Sequence, residues 1–329
     1  MNETRRAVLD ALADGPISGP ALAEELGVSR AAVWKHVEAL REAGFDVESG
    51  DGGYALTGVP EYGGLAIEYG LDAPYEIEYH DSIDSTNRRA RELAGEGESN
   101  VVVVADEQTG GRGRLDREWS APSGGVWASV VLRPEIPPAQ VPILTLAAAV
   151  AVTRAAREAG VDAGIKWPND VLVSVANEGS SDSSDGVLAN VEANGTQKKL
   201  SGILTEMEGE ADRVSWVVVG IGVNVNVAAA DLPETATTVR DLVGDVDRRN
   251  FLQRVLESFH DLVGDTDAIL PAWRDASLTL GQRVRVETPG GEVIGDAVDV
   301  AFPGTLLVDT GDDITRVSAG DCEHLRPAE

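Results

Sequence analysis

A glycine- and arginine-rich segment at residues 108–119 carries the most distinctive chemistry in this sequence. Its glycines would let a ligand approach the backbone closely. Its guanidinium groups suit phosphate oxygens, because each can donate paired hydrogen bonds. The spacing matches neither a P-loop nor a dinucleotide-binding fingerprint, so we predict a phosphate-binding loop of another type. The residues of interest are Gln108, Arg112, Gly113, Arg114, Arg117 and Trp119.

Two polar motifs lie at the ends of predicted elements. Ser85, Thr86 and Asn87 precede a helical pattern, and on their own they are best explained as a helix N-cap. Hydroxyl and backbone N–H groups at a helix start can also bind a polar head group. Asn224 lies in GIGVNVN, where a strand ends in residues that permit close backbone approach and offer amide side chains.

Two further motifs contain lysine. Lys166, Asn169 and Asp170 lie in KWPND, which alone predicts a turn between strands. Its lysine and carboxylate could instead serve ATP and Mg²⁺, an ion that prefers few carboxylates together with phosphates. Lys199 lies in KKLSGIL, where a lysine pair enters an apolar strand pattern. Because the chain has only four lysines, we expect those it retains to have specific roles.

A mixed α/β segment at residues 74–276 must position these motifs. Strands are predicted at 76–80, 100–106, 125–132, 171–175, 200–208 and 214–227. Helices are predicted at 86–95, 141–159 and 248–264. An acidic, low-complexity stretch at 176–197 predicts a solvated surface insertion.

Residues 1–58 show three helical patterns followed by a hairpin signal around Gly-Asp-Gly-Gly. This order predicts a winged helix-turn-helix that binds DNA, with an outward face on the third helix that would meet the major groove. The face comprises Arg30, Ala31, Trp34 and Lys35. A protein-binding helical domain is the alternative, and ten acidic against five basic residues in 1–58 oppose DNA binding.

The remaining segments are shorter. Residues 59–73 are predicted to be a linker. Residues 277–329 alternate short strand patterns with Pro-Gly and Gly-Asp turns, which predicts a small SH3-like antiparallel barrel without evident chemistry. The expected fold is therefore multidomain α+β, with a winged helix, a central catalytic α/β domain and a C-terminal barrel.

The overall composition narrows the class of protein. The 56 acidic and 27 basic residues give a formal net charge of −29, which we interpret as adaptation to a high-salt, halophilic cytoplasm, an ordinary acidic protein being the alternative. One cysteine excludes intrachain disulfides. Since no apolar run reaches about eighteen residues, we expect a cytoplasmic protein without membrane contact.

Taken in order, the motifs STN, GGRGRxxRxW, KWPND, KLSGIL and GIGVNVN resemble the biotin–protein ligase family. With the winged helix ahead of them, the chain resembles the bifunctional type that also represses biotin genes. The resemblance implies activation of biotin with ATP and Mg²⁺ to biotinyl-5'-AMP, followed by transfer to a lysine of the biotin carboxyl carrier domain of a biotin-dependent carboxylase. It also implies operator DNA as a partner and a homodimer in the adenylate-bound state.

The resemblance further implies a role for each matching position. Biotin would be bound by Ser85, Thr86, Asn87, Gln108, Arg112, Gly113, Arg114 and Lys199. ATP or the adenylate would be bound by Arg117, Trp119, Lys166, Asn169 and Asn224. The catalytic residues would be Lys199, Arg114 and Asp170, with Asp170 also holding the metal. The sequence departs from the family at Asp116, where glycine is frequent, and in the 176–197 insertion.

Two other functions are compatible with parts of this pattern. A lipoate-type ligase of related fold would share the central domain, but the pairing of the arginine loop with a C-terminal barrel argues against it. A DNA-binding biotin sensor with little ligase activity would keep the winged helix. The presence of both Arg114 and Lys199 argues against that reading.

Overall fold

The computed structural model of the chain describes residues 3–175 and 196–325. Its first unit contains three helices and an antiparallel hairpin: α1 (Glu3–Ala13), α2 (Gly19–Glu25), α3 (Arg30–Glu42), β1 (Asp46–Gly50) and β2 (Gly53–Gly58). Ser29 caps α3, since its hydroxyl accepts a hydrogen bond from the Ala32 N–H at 3.1 Å. The predicted order of the winged helix-turn-helix is confirmed.

Helix α4 (Gly64–Glu68) joins this unit to the rest of the chain. Its Ala66 packs into the apolar core of the winged helix, whereas the next residue, Ile67, packs into the core of the central unit. The segment predicted to be a linker is therefore packed against both neighbours and includes a short helix.

Arg248 adds a polar connection to the same segment. Its guanidinium group is nearly buried, pairs with Glu61 at 2.8 Å and with Asp106 at 2.6 Å, and lies 4.2 Å from the centre of the Tyr62 ring. Each charge at this position has an opposite partner, as buried charges require.

A seven-stranded sheet forms the central unit. Its strands are β3 (Glu76–Ile83), β4 (Val101–Gln108), β5 (Val126–Leu132), β6 (Ala163–Lys166), β7 (Asp170–Val175), β8 (Thr196–Gly209) and β9 (Val214–Val223). They lie in the order β3-β4-β5-β9-β8-β7-β6. Only the β3–β4 pair is parallel among the described strands.

Helices cover both faces of this sheet. They are α5 (Thr86–Glu96), α6 (Pro142–Glu158), α7 (Val239–Val243), α8 (Arg248–Gly264) and α9 (Ile269–Asp275). Val101 and Val103 pack with α5, whereas Val102 and Val104 pack with α6 and α8 on the opposite face. Successive side chains of a strand point to opposite faces of the sheet. Because both faces are covered at β4, its successive residues are all apolar from Val101 to Ala105.

One helical stretch, Pro138–Glu158, is long and apolar enough to cross a membrane by length and composition alone. However, 72% of its most apolar part is buried inside the protein. Residues such as Leu144, Ala148 and Val152 belong to the main core. This helix is therefore explained as the core helix of a globular domain.

Five strands form the C-terminal unit, namely β10 (Arg283–Thr288), β11 (Gly291–Ala301), β12 (Thr305–Asp309), β13 (Ile314–Val317) and β14 (Asp321–His324). They form one antiparallel sheet in the order β13-β12-β11-β10-β14. Within the described part of the chain the two edge strands do not pair with each other. The small all-β domain was predicted correctly, but the sheet is open rather than a closed barrel.

The predicted surface insertion at 176–197 lies outside the described residues, except for Thr196 and Gln197, which begin β8. The side chain of Asp116, noted as a departure from the family pattern, also lies outside what the structure describes.

Candidate active site

A cavity of about 260 Å³ lies beside the N-terminus of α5. Thirteen of the fourteen residues that the sequence proposed for ligand binding or catalysis line it: Ser85, Thr86, Asn87, Gln108, Arg112, Gly113, Arg114, Arg117, Trp119, Asn169, Asp170, Lys199 and Asn224. They come from five motifs that are far apart in the chain. The sheet brings these motifs together where β4, β8 and β9 meet the first turn of α5.

One end of the cavity is polar and mostly uncharged. Ser85 caps α5, and its hydroxyl accepts from the Arg88 N–H at 3.4 Å. The Thr86 N–H donates to Gln108 Oε1 at 2.8 Å, which ties the helix start to the end of β4. The N-cap interpretation is thus confirmed for Ser85, and the same turn also faces the cavity.

A layer of side chains supports this polar end from below. The Ser129 hydroxyl on β5 has no exposed surface and lies 2.6 Å from Asn87 Oδ1 and 2.8 Å from Thr86 Oγ1. The Asn87 Nδ2 donates to Glu206 Oε2 at 2.8 Å. Sequence reasoning missed both Ser129 and Glu206. The signal for Ser129 was a lone polar residue at an inward position of an apolar strand.

The opposite end of the cavity holds the cations. Residues 110–119 form a small hairpin, in which the Gly113 N–H donates to the Arg117 carbonyl at 2.8 Å and the Trp119 N–H to the Gly111 carbonyl at 3.0 Å. This backbone pairing places the arginine side chains on one edge of the cavity, in a protein that is otherwise strongly negative.

Two of these arginines contact the C-terminal unit. Arg114 donates to Asn169 Oδ1 at 2.9 Å and to the Gly320 carbonyl at 2.8 Å. Arg117 forms an ion pair with Asp321. Although burial raises the pKa of Asp321, the hydrogen bond and charge of Arg117 outweigh it and hold that pKa below its ordinary value. Asp321 also lines the cavity, so a domain predicted to lack evident chemistry contributes to the site.

Lys199 supplies a further cation. Its Nζ lies 2.6 Å from Asp170 Oδ1 and 5.2 Å from the centre of the Trp119 ring. The backbone of Lys199 is fixed by hydrogen bonds to Thr235 and Thr237, at 2.8 and 3.0 Å. Lys199 lines the cavity, whereas Lys198 is not among the lining residues, which agrees with the alignment through KLSGIL.

Two glycines form a floor for Trp119. Gly202 on β8 and Gly222 on β9 are directly paired. A Cβ added at Gly222 would lie 3.0 Å from the indole of Trp119, and one added at Gly202 would lie 3.2 Å from the same ring. The glycines in KLSGIL and GIGVNVN are therefore needed because the indole approaches the backbone so closely.

The KWPND motif is both a turn and part of the site. Strands β6 and β7 pair through Lys166 and Asp170, with a cis bond before Pro168. Buried Trp167 anchors this turn, because its indole N–H donates to the Gly304 carbonyl at 2.8 Å and its backbone N–H to the Thr279 hydroxyl at 2.9 Å. The KWPND motif therefore forms the predicted turn and also places Asn169 and Asp170 at the cavity, so the two interpretations are compatible.

Lys166 is the one proposed ligand-binding residue that does not line the cavity. It lies near β14, where its charge lowers the pKa of Asp321 and of His324. Burial is the larger cause at His324, and together these effects lower the pKa of that histidine to about 4. The proposed contact of Lys166 with ATP has no support from this geometry.

The predicted DNA-binding face is solvent-exposed. Arg30, Ala31, Trp34 and Lys35 all lie on the outer side of α3, opposite the buried Val33 and Val37. Trp34 is 55% exposed, so its indole is accessible to a partner.

The fold and cavity together define a class of protein. A neutral polar pocket adjoins a cation cluster, and the cavity-lining residues of the described chain include no cysteine or histidine. Such a site suits an ATP-dependent ligase that activates a carboxylate, since positioning and charge stabilisation can support phosphoryl chemistry.

Comparison with known proteins identifies the family. Residues 79–224 match the biotin/lipoate A/B protein ligase family, residues 4–55 match an HTH domain, and residues 279–325 match the biotin protein ligase C terminal domain. The chain is 38% identical over 325 residues to the bifunctional ligase/repressor BirA of Bacillus subtilis, covering 93% of each protein. The chain therefore belongs to the biotin/lipoate A/B protein ligase family.

Two more relatives support this membership. The biotin–[acetyl-CoA-carboxylase] ligase of Mycobacterium tuberculosis is 34% identical over 259 residues, which cover 72% of this chain and 84% of that protein. The biotin protein ligase from Aquifex aeolicus, solved in complex with biotin and ATP, superposes with a TM-score of 0.60 at 26% identity. That match covers 76% of this chain and 99% of the Aquifex protein.

Proposed function

We propose that this protein is a biotin–protein ligase, which joins biotin to ATP and then transfers biotin to a lysine of a carrier domain. The observation that carries the proposal is that one cavity has both a neutral polar end and a cationic end. The polar end, at Thr86 and Gln108, suits the biotin ring. The cationic end, at Arg114, Arg117 and Lys199, suits the biotin carboxylate and the phosphates of ATP.

In the first step, a biotin carboxylate oxygen attacks the α-phosphorus of ATP, the bond to the β-phosphate breaks, and pyrophosphate leaves. Two anions must approach each other, so their repulsion has to be offset by cations. Lys199 and Arg114 are positioned to do this. Trp119, which lies over Gly202 and Gly222, and Asn224, which lines the same region, would contact the nucleotide.

The chemistry of Asp170 fits a magnesium ion. It presents one carboxylate to the cavity beside Lys199, and Mg²⁺ prefers one or two carboxylates together with phosphate oxygens. When bound there, the ion would neutralise negative charge on the phosphates. No cluster of three or more acidic, histidine or cysteine ligands occurs in residues 3–175 and 196–325, so a metal held by the protein alone is not expected.

In the second step, the neutral amine of a carrier lysine attacks the carbonyl carbon of biotinyl-5'-AMP, and AMP leaves. Asp170 is our candidate for accepting the amine proton. Between the steps the adenylate needs protection from water, which the 110–119 hairpin could provide by closing over the cavity. We infer that the acceptor is the biotin carboxyl carrier domain of a biotin-dependent carboxylase, consistent with the activity named for the Mycobacterium relative.

Incubation with ATP, biotin and a carrier domain tests the ligase proposal directly. We expect a biotinylated lysine and pyrophosphate release that depends on biotin. Lipoate in place of biotin is the control for the related ligase class. Modification by lipoate but not biotin, or biotin binding without any transfer, would refute the proposal in favour of one of the two alternatives.

A second function, biotin-responsive repression, is supported by the exposed face of α3, where Trp34 and Lys35 are presented to solvent. We propose that adenylate without an acceptor favours a homodimer, in which two winged helices read paired half-sites of an operator. Sedimentation with and without ATP and biotin, beside a DNA-shift assay, tests this. A monomer in both states, or DNA binding that ignores biotin, would contradict it.

The acidic surface supports a further proposal, that the protein works in a cytoplasm of high salt. A net charge of −29 repels itself strongly unless counterions screen it. We expect ligase activity and the unfolding temperature to rise as KCl is raised from low to molar concentration. A protein that is most active and most stable at low salt would contradict this.

A further inference from the structure

A chain of hydrogen bonds runs beneath the polar end of the cavity, from β8 to the end of β4. Glu206 Oε2 accepts from Asn87 Nδ2 at 2.8 Å, and the Ser129 hydroxyl lies 2.6 Å from Asn87 Oδ1. The same hydroxyl lies 2.8 Å from Thr86 Oγ1, and the Thr86 N–H donates to Gln108 Oε1 at 2.8 Å. The chain therefore links Glu206, which lies outside the cavity, to three residues that line it, Asn87, Thr86 and Gln108.

Glu206 fixes the orientation of the Asn87 amide. An ionised carboxylate has only acceptors, so the group of Asn87 that faces it must be the NH₂. The NH₂ also points to the Leu204 carbonyl, at 3.4 Å. A flipped Asn87 would place its oxygen against these two acceptors. The opposite side of the amide, Oδ1, therefore faces Ser129 and takes its only hydroxyl proton.

The orientation of Asn87 then determines what the cavity wall offers to a ligand. Because the Ser129 hydroxyl donates its proton to Asn87, the Thr86 hydroxyl has two acceptors for its own proton, Gln108 Oε1 at 3.0 Å and the Ser129 oxygen. Both acceptors belong to the cavity wall, so the Thr86 proton does not point into the cavity. Thr86 Oγ1 thus presents a lone pair to the cavity. Gln108 Oε1 is held by the Thr86 N–H, so Gln108 has its NH₂ to donate.

We propose that Glu206 is a positioning residue that sets the direction of this hydrogen-bond chain and thereby the ligand specificity of the cavity. An acceptor at Thr86 beside a donor at Gln108 complements the N–H and C=O groups of a cyclic urea, as in the ring of biotin. This inference rests on the proposed ligase function. Glu206 does not line the cavity, and Arg91 holds its other oxygen at 3.2 Å, so it acts through Asn87.

The test is Glu206→Gln, which keeps the shape of the side chain but can donate as well as accept, so the residue at 206 no longer enforces one orientation of the Asn87 amide. We expect biotin to bind about tenfold more weakly, the scale of one well-formed hydrogen bond. Dethiobiotin, which shares the urea ring, should lose affinity by the same factor. The KM for ATP in pyrophosphate exchange should stay within about twofold, since the nucleotide end lies elsewhere in the cavity.

Glu208→Gln is the matched control, because it removes the same charge from an exposed position on β8. It should bind biotin as the wild type does. If the wild type and Glu206→Gln bind biotin equally well, the inference about Glu206 is overturned while the proposed ligase function stands. Equal losses for biotin and ATP with a lowered unfolding temperature would also overturn it, by indicating a general structural role. A wild-type protein that fails to bind biotin would overturn the proposed ligase function as well.

Discussion

Gly220 on β9 is the position where one added methyl group should most disturb the polar end of the cavity. A Cβ at Gly220 would lie 2.0 Å from Asn87 Oδ1, whereas an unstrained contact needs about 3.4 Å or more. The strand cannot move away, because Gly220 is paired with Ser129 on β5 and with Leu204 on β8. In Gly220→Ala, Asn87 must therefore retreat by more than about 1 Å.

The size of the effect follows from the contacts that Asn87 makes. A displacement of this size breaks the hydrogen bonds to Ser129 and Glu206, now 2.6 and 2.8 Å long. At about 1 kcal/mol for each bond, the arrangement of the site loses about 2 kcal/mol. If biotin binding depends on this arrangement, a loss of that size corresponds to an affinity roughly thirtyfold lower.

Calorimetric titration with biotin measures this loss, and two other glycines provide controls. Gly95→Ala lies in the same helix as Asn87, α5, and its Cβ would meet no atom within 4 Å. It should bind biotin normally and gain up to about 1 kcal/mol of stability from helix propensity. Gly222→Ala should instead displace Trp119 and weaken the binding of ATP. Biotin binding by Gly220→Ala within twofold of the wild type would refute the reasoning.

Four further predictions follow from the site and its surroundings. Lys199→Ala should lower biotin-dependent pyrophosphate exchange by about 100-fold or more without changing the fold, and near-normal exchange would exclude Lys199 from the reaction. Asp321→Asn should lower the KM for ATP in the same assay, because Arg117 loses the carboxylate that competes with phosphate; an unchanged or higher KM would argue against that competition. The pKa of His324 is lowered to about 4 by burial and by Lys166, so the unfolded chain binds more protons than the folded one between about pH 4 and its ordinary pKa of about 6.5. The free energy of unfolding, measured by urea denaturation, should therefore fall as pH is lowered through this window, and His324→Gln should flatten the dependence. Lys35→Ala should weaken operator binding and reduce by about one the slope of log affinity against log salt concentration, whereas Trp34→Ala should weaken binding without changing that slope. Because the winged-helix domain is acidic, we expect the slope of the wild type itself to be shallow. A steep loss of wild-type affinity as salt rises would contradict this expectation.

Local patterns were sufficient to predict most elements of the fold. The predicted helix at 248–264 has the bounds of α8, because its apolar residues recur at helical spacing and Asp247 caps its start. Strand β6 was implied by the turn in KWPND but was not assigned bounds, since its four residues, Ala163–Lys166, are too few to show an alternating pattern. The C-terminal sheet was predicted to close into a barrel, but pairing of edge strands is a tertiary property that turn spacing does not encode.

The candidate site was predicted as a set of motifs but not as a network. Residues such as Arg114 and Lys199 belong to short continuous motifs, which can be recognised from the sequence alone. Asp321 could not, because it reaches Arg117 across 204 positions and its surroundings carry no motif. Glu206 was hidden for a similar reason, as one acidic residue among several at the end of a long strand. Lys166 shows the converse, since it belongs to a motif but does not line the cavity, and its contact with ATP stays a prediction.

The pairing of Arg248 with Glu61 and Tyr62 has a practical consequence for isolating the ligase from its winged helix. A truncated protein that starts at the beginning of β3 would lack both partners and leave the Arg248 guanidinium with one of its two described carboxylate partners, Asp106. It would also uncover the part of the core that Ile67 fills. A cut between Gly58 and Glu61 instead keeps α4 with the catalytic fragment. The boundary suited to protein engineering therefore lies at the end of β2 and not at the end of the connecting segment.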